Sequence, residues 1–133
     1  MAWRAERIVK WVVVAAVAAV AAVVLHRCYR HFRGIEVCVR NVDTQPMHSG
    51  EVTVTSSLST RRYSIGDLAP SNRSCVWVKA DNEASVDVTF ALPGDKSKTI
   101  PLDGYIEPGY SGSISAEVTA EGARDIKRDV DLF

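Results

Sequence analysis

The sequence predicts a small all-β domain, a seven-stranded antiparallel β-sandwich, preceded by one N-terminal transmembrane helix. Three observations support this prediction. Residues 11–25 form an uncharged apolar run, residues 34–119 alternate apolar and polar side chains, and clusters of Gly, Pro, Asn and Asp separate the alternating runs. A chain of 133 residues has room for one such domain and an anchor, which excludes a large multidomain enzyme.

The charge is distributed unevenly along the chain. Residues 1–33 contain six Lys and Arg and one acid, whereas residues 34–133 contain ten Lys and Arg and fifteen acids. The resulting net charges of +5 and −5 cancel over the whole chain. This balance argues against a basic nucleic-acid-binding protein, so we expect no nucleic acid among the partners. The two parts of the chain suit different environments.

One apolar segment is long enough to cross a bilayer. The fifteen residues 11–25 are uncharged, and seven Val and six Ala account for most of them. Ile8 and Val9 extend the segment to residues 8–25, for which a helix is about 27 Å long, close to the ~30 Å hydrocarbon core of a bilayer. We therefore expect an uncleaved signal anchor over residues 8–25, with the lipid bilayer as a partner.

The flanks of this segment predict its direction. Residues 1–7 would form a short cytoplasmic tail, and residues 26–33 a basic juxtamembrane linker. Three positive charges stand on each side, so the positive-inside rule does not distinguish the two orientations of the helix. The short N-terminal tail is typical of a signal anchor with its N-terminus inside and the following domain exported. The side chains expected at the lipid headgroups are Lys10, Trp11, Arg27, Tyr29, Arg30 and Arg33.

This segment has two alternatives to a membrane anchor. Cleavage as a secretory signal would give a secreted domain, and Ala19-Val20-Ala21 matches the cleavage pattern, although it lies inside the apolar run. A buried core helix is disfavoured because the run is apolar on all sides and has basic flanks.

Seven runs typical of half-buried β-strands follow in residues 34–119. Pro101 predicts that its strand lies at the edge of a sheet, because proline cannot donate to the ladder. No helical period separates the runs, which disfavours a parallel α/β sheet. The apolar positions predicted to face the core are Ile35, Val37 and Val39; Val52 and Val54; Tyr63 and Ile65; Val76 and Val78; Val86, Val88, Phe90 and Leu92; the short run 99–102; and Ile114, Ala116 and Val118.

Residues 120–133 form a polar segment rich in both charges. We predict a mostly disordered tail or, because Ile126, Val130 and Phe133 share one face of a helix, a short docking helix.

Three short motifs recur in a known class of domain: Val39-Arg40-Asn41, Leu68-Ala69-Pro70 and the strand Cys75 to Val78. With them, residues 34–118, about two thirds of the chain, resemble the extracytoplasmic immunoglobulin-like modules of bacterial envelope proteins, of the F-x-L-Y-D or cell-adhesion-related type. The glycine that usually follows the proline is Ser71 here, and residues 102–110 depart from the pattern. The chain is also similar to uncharacterised short bacterial proteins with one span and one such domain. The resemblance implies a single-pass protein of the bacterial inner membrane with a periplasmic or extracellular domain.

The two cysteines of the domain are predicted to point away from the core. Cys38 shares its strand face with Glu36 and Arg40. Cys75 shares its face with Trp77. An immunoglobulin-type disulfide between the two sheets is therefore disfavoured. A Cys38–Cys75 bond across one surface and a pair of partly exposed thiols both stay open.

The sequence contains no motif that predicts catalysis, a cofactor or a metal site. His48 is the only histidine of the domain, and no Cys or carboxylate stands near it at metal-ligand spacing. We therefore predict a non-enzymatic protein-interaction or accessory module whose partner is another envelope protein. The alternative is a ligand- or Ca²⁺-binding sensor on the same scaffold. The candidate partner contacts are Trp77, Tyr105 and Tyr110, and a structural role in locking a corner is the alternative for the tyrosines.

Overall fold

A computed structural model describes residues 2–132 of the chain. These residues form two compact units, an N-terminal helix and a β domain that starts at Arg33. Within them the chain has one helix and eight strands. The bounds are α1, Ala2–Arg33; β1, Ile35–Asn41; β2, Met47–Ser56; β3, Thr60–Leu68; β4, Arg73–Val78; β5, Ala84–Leu92; β6, Lys96–Ile106; β7, Ser111–Thr119; and β8, Gly122–Asp131.

The helix α1 is longer than the predicted span. It runs for 32 residues without a glycine or proline, and in the part of the chain that the structure describes it is the one helix long and apolar enough to cross a membrane. The expected tail is helical from Ala2, and residues 26–33, expected as a linker, are helical as well. These basic residues continue the helix because lysine and arginine are good helix formers.

Gly34 ends the helix and begins the β domain. Its φ of +85° lies in the left-handed region, the conformation typical of the residue that follows a helix. A Cβ at this position would lie 2.3 Å from the carbonyl oxygen of Val78. Glycine is therefore required twice here, for the turn and for the close approach to the end of β4.

The eight strands form two four-stranded sheets. Sheet 1 has the order β4-β1-β7-β8, and sheet 2 has the order β3-β2-β5-β6. Sheet 2 is antiparallel, but in sheet 1 the strands β1 and β7 run parallel, with Ile35 beside Gly112. The prediction of a wholly antiparallel sandwich is therefore wrong. Alternation within a strand defines its buried face and carries no information on the direction of its neighbour.

The eighth strand corrects the prediction for residues 120–133. Gly122–Asp131 is a strand that pairs antiparallel with β7, neither a disordered tail nor a docking helix. Val130 is buried because it faces the space between the sheets, opposite Gly112. Phe133, the third residue of the predicted helical face, lies outside the described residues.

The core between the sheets contains the predicted inward positions. Tyr63, Val76 and Leu92 are half-buried at its margin. The alternation of the sequence is therefore confirmed as the burial pattern. The predicted positions that are buried are Ile35, Val37, Val39, Val52, Val54, Ile65, Val78, Val86, Val88, Phe90, Ile100, Leu102, Ile114, Ala116 and Val118.

Side chains close both open sides of the sandwich. On the β3–β4 side, the Ser74 hydroxyl donates a hydrogen bond to the carbonyl oxygen of Ile65 over 3.0 Å. On the β6–β8 side, Arg128 forms an ion pair with Asp103. The strand β6 is an edge strand, as Pro101 predicted, and it is longer than the short run expected there.

Candidate interaction surface

The outer face of sheet 1 consists of three rows of side chains that cross four strands. Residues opposite one another on neighbouring strands project to the same side of a sheet, so the register determines which side chains share a row. Val37 and Val39 lie in the core, and the residues that alternate with them therefore face outward. The rows are Trp77-Glu36-Ser113-Asp129, Cys75-Cys38-Ser115-Lys127 and Arg73-Arg40-Glu117-Asp125.

A disulfide occupies the middle row. Cys38 and Cys75 lie directly opposite each other on β1 and β4, with a Cα–Cα distance of 4.1 Å, and their sulfurs are bonded. Both point away from the core, so the bond joins two strands of one sheet instead of bridging the two sheets. Cys75 is exposed, whereas Cys38 is covered by its neighbours on the face. In the chain-entropy model a loop of this length stabilises the fold by about 4 kcal/mol.

The third row places like charges side by side. Arg40 lies opposite Arg73, and Glu117 lies opposite Asp125. Arg40 contacts Glu117 at 4.0 Å, and Lys127 contacts Asp125 at 3.9 Å, and each of the four side chains is at least 41% exposed. Like charges in directly opposed positions destabilise a sheet, and water screens the attraction of the exposed pairs. The row is therefore a positive pair beside a negative pair.

These side chains line a shallow depression of about 410 Å³ in the outer face of sheet 1. Small side chains at its floor and long charged ones at its margin account for the shape. The depression leaves charged groups available to a ligand or to a protein surface. Its lining residues are Cys38, Arg40, Arg73, Ser115, Ala116, Glu117, Asp125 and Lys127.

Trp77 stands at the opposite end of the face from the arginine pair. Its side chain is 36% exposed and lies across from Glu36. The guanidinium of Arg33 lies 5.2 Å from the centre of the Trp77 ring, a cation–π arrangement. The predicted contact residue is therefore on the surface and held in place on the same face as the disulfide.

The two predicted tyrosines contact each other but belong to a different part of the domain. Their rings meet edge to face with centroids 6.4 Å apart, Tyr105 on β6 and Tyr110 just before β7. Tyr110 packs against the core, whereas Tyr105 is exposed and its hydroxyl lies 3.5 Å from a Glu83 carboxylate oxygen. The strand β6 flanks β8, and Trp77 is on β4 at the other edge of sheet 1, so the three aromatic residues do not form one patch.

His48 has one acidic neighbour. Its Nδ1 lies 3.4 Å from an Asp67 carboxylate oxygen, and both side chains are more than half exposed. The Ser49 backbone N–H, and after it His48, hold the pKa of Asp67 below its ordinary value. Among the described residues, no hydroxyl or thiol is hydrogen-bonded to His48. His48 and Asp67 therefore form a solvent-exposed pair of the kind that contributes little to stability.

All six residues expected at the lipid headgroups lie on α1. Trp11 and Tyr29 are eighteen residues apart, which in a helix corresponds to about 27 Å. Both are exposed, as are the apolar residues between them. The remaining expected residues flank them as Lys10 at one end and Arg27, Arg30 and Arg33 at the other.

One set of potential metal ligands is present on the outer face of sheet 1. A carboxylate oxygen of Glu36 and the sulfurs of Cys38 and Cys75 all lie within 4.8 Å of one another. The sequence showed that Glu36 and Cys38 share a strand face, and the register of β1 with β4 adds Cys75. Two sulfurs do not suit Ca²⁺, which binds oxygen ligands, and no other set of three such groups occurs in residues 2–132.

The comparisons with known proteins give no relative. No protein-family model matches the chain, and no curated protein and no solved structure is significantly similar to it.

Proposed function

We propose that this chain is a single-pass protein of the bacterial inner membrane that holds a small β-sandwich on the extracytoplasmic side as a non-enzymatic protein-interaction or accessory module. The observation that supports an interaction role is the outer face of sheet 1. There an exposed Trp77, a disulfide and a shallow charged depression share one continuous surface. Exposed aromatic and arginine side chains are the groups most enriched at protein interfaces.

Two further features support the placement. The helix α1 is uniformly apolar between its basic termini, and one residue, Gly34, separates it from β1. The Cys38–Cys75 bond is typical of an oxidising compartment, such as the periplasm. Tethering a domain to a membrane raises its effective concentration for partners in the same membrane, so a modest interface is sufficient.

The test is site-specific photocrosslinking in intact cells. A photoreactive phenylalanine analogue in place of Trp77 probes the outer face of sheet 1, and the same analogue in place of Thr53 probes the outer face of sheet 2. Thr53 is a matched control because it lies between the buried Val52 and Val54 and therefore faces away from the core. We expect a discrete crosslinked protein at position 77 that is absent at position 53.

The charged row provides the second part of this test. Reversing its positive pair with Arg40→Glu and Arg73→Glu should remove the crosslink at position 77 and leave the protein in the membrane fraction. Equal crosslinking at positions 77 and 53, or a crosslink that survives the reversal, would contradict an interface on this face.

A further inference from the structure

The ligand set on the outer face of sheet 1 follows from strand geometry. Glu36 and Cys38 are two residues apart on β1 and so project to the same side. Cys75 is directly opposite Cys38 on β4. In the disulfide-bonded protein, the backbone ladder of β1 and β4 thus holds one carboxylate and two sulfurs within 4.8 Å of one another.

We propose that the reduced form of this protein binds one Zn²⁺ ion through the thiolates of Cys38 and Cys75 and the carboxylate of Glu36. The fourth position of the tetrahedron would be open to water or to a partner's side chain. Thiolate and carboxylate are both common zinc ligands, and three protein ligands with one open position form a recognised type of zinc site.

The movements that the site requires are small. In a tetrahedral zinc site with Zn–S distances of ~2.3 Å, two sulfurs lie about 3.8 Å apart. The Cα atoms of Cys38 and Cys75 are 4.1 Å apart, so side-chain rotation after the bond is broken is sufficient to move the two sulfurs to this separation. Cys75 is exposed and Glu36 is half-buried, so the ion can enter from solvent.

The surrounding charges favour this occupant. Two thiolates and one carboxylate carry a charge of −3, which Zn²⁺ reduces to −1. The adjacent row adds two positive charges beside this set, Arg73 and Arg40, the second of which also contacts Glu117. Their repulsion of a free cation is outweighed once both thiols have lost their protons.

Conversion of the disulfide to the zinc site takes two steps, reduction and metal binding. A dithiol reductant transfers two electrons and two protons to the Cys38–Cys75 bond, which yields two thiols and the disulfide of the reductant. Zn²⁺ then displaces the two thiol protons. A low-molecular-weight disulfide that accepts two electrons from the bound thiolates and two protons from water, and leaves as two thiols, would restore the Cys38–Cys75 bond and release the ion. The redox state of this pair therefore determines whether the face carries a metal.

The test uses the full-length chain in detergent with Cys28→Ser, which removes the third, exposed thiol. The protein is reduced with a phosphine and titrated with Co²⁺ and then with Zn²⁺. We expect one equivalent of Co²⁺ to give a thiolate-to-cobalt absorption band and the intense visible bands of tetrahedral Co²⁺, and Zn²⁺ to remove both. The oxidised protein should give neither.

Glu36→Gln and Asp129→Asn are the matched pair of variants. Both remove a carboxylate from the first row of the face, but Asp129 is two strands away from Glu36. Glu36→Gln should weaken Zn²⁺ binding by at least about tenfold, and Asp129→Asn should leave it unchanged.

Three results would overturn the proposal. They are the absence of a thiolate-to-cobalt band in the reduced protein, equal Zn²⁺ affinity for the two variants, and loss of the β-sheet circular dichroism signal on reduction. The last would show that β1 and β4 need the disulfide to stay in register.

Discussion

At the scale of single residues, Asn41 links three segments at one end of the sandwich. Its side chain is fully buried at the end of β1, and its Nδ2 donates to the carbonyl oxygens of Gln45 at 2.8 Å and Leu68 at 2.9 Å. Its Oδ1 accepts from the backbone N–H of Asp43 at 2.9 Å. The residue thus satisfies the buried carbonyl group of Leu68 at the end of β3 and two partly buried backbone groups of the β1–β2 loop.

Removal of the Asn41 side-chain amide should destabilise the fold. Asn41→Ala is expected to lower the free energy of unfolding by about 2–4 kcal/mol, because it removes three hydrogen bonds and leaves the buried carbonyl group of Leu68 without this donor. Asn72→Ala is the control, since the Asn72 side chain is exposed, and it should change the stability by less than about 0.5 kcal/mol. Urea denaturation of both variants measures the difference. Equal effects would argue against a bridging role for Asn41.

Asp43 makes the fold sensitive to acid. Its carboxylate accepts the backbone N–H of Ala120 at 2.9 Å and that of Thr44 at 2.7 Å, and these bonds hold its pKa below the ordinary 3.8. A carboxyl group with a pKa that folding lowers stabilises the fold above its unfolded pKa, and this stabilisation is lost as the pH falls through the folded pKa.

The expected consequence is a variant whose defect depends on pH. Asp43→Ala should lower the Tm at pH 7, and the difference from the unsubstituted protein should shrink below about pH 4, near the ordinary pKa of Asp. Thermal unfolding between pH 7 and pH 2 tests this. A difference that stays constant over this range would mean that the charge of Asp43 is not what stabilises the loop.

At the scale of elements, β8 shows how the sandwich protects its edges. Arg128 lies opposite the buried Ile114, so it occupies an inward position on an edge strand. Asp103 is on β6, the edge strand of the other sheet, and lies opposite the buried Val86 of β5. The two charges meet at the β6–β8 side of the sandwich. Inward charges at sheet edges disfavour pairing with another chain, because such pairing would bury them.

The ion pair between these edges should contribute measurably to stability. Arg128→Ala is expected to cost about 1–3 kcal/mol, because the Asp103 side chain, only 10% exposed, would lose its charged partner. Lys127→Ala, at the neighbouring outward position with the side chain 79% exposed, should cost less than about 0.5 kcal/mol. Chemical denaturation of the two variants is the comparison, and equal losses would exclude a special role for the inward pair.

The same residue explains why the sequence did not predict β8. The inward positions of this strand are Ile126, Arg128 and Val130, so a charge interrupts the two-residue apolar period. The apolar residues that remain are four apart, which is a helical spacing. Strands with uninterrupted alternation, such as β1 and β5, were predicted with their buried faces. Which strands pair, and in which direction, depends on residues distant in sequence and could not be predicted from local patterns.

At the scale of the whole molecule, the sequence divided the chain correctly into an apolar helix and a β domain. It also predicted that Cys38 and Cys75 face outward, but their pairing required the register of two strands. Ser71 illustrates a partial signal. It stands where the resembled modules usually have glycine, and its φ of +68° is in the left-handed region that glycine prefers. The resemblance stays a hypothesis, and this backbone conformation is the one that a glycine at this position would adopt.

A topology experiment tests the arrangement of the two parts. A reporter that is active only outside the cytoplasm, fused after Phe133, should be active in the membrane fraction. A membrane-impermeant maleimide should label Cys28 in intact cells, and label Cys38 and Cys75 only after reduction and unfolding. An active reporter in the soluble fraction would indicate cleavage of the helix. An inactive reporter would place the domain in the cytoplasm.

The parallel pairing of β1 with β7 has a consequence for how the domain is made. The first strand to follow the helix is an interior strand of sheet 1, and its neighbour β7 begins 76 residues after it, as Ser111 follows Ile35. During synthesis β1 therefore leaves the ribosome long before its partner exists, and the sheet closes only when nearly the whole chain is available. Contacts this distant in sequence make folding slow. Until β7 has been made, sheet 1 lacks the strand that joins β1 to β8, and a domain that is incomplete in this way resists threading through an export channel less than the finished sandwich does.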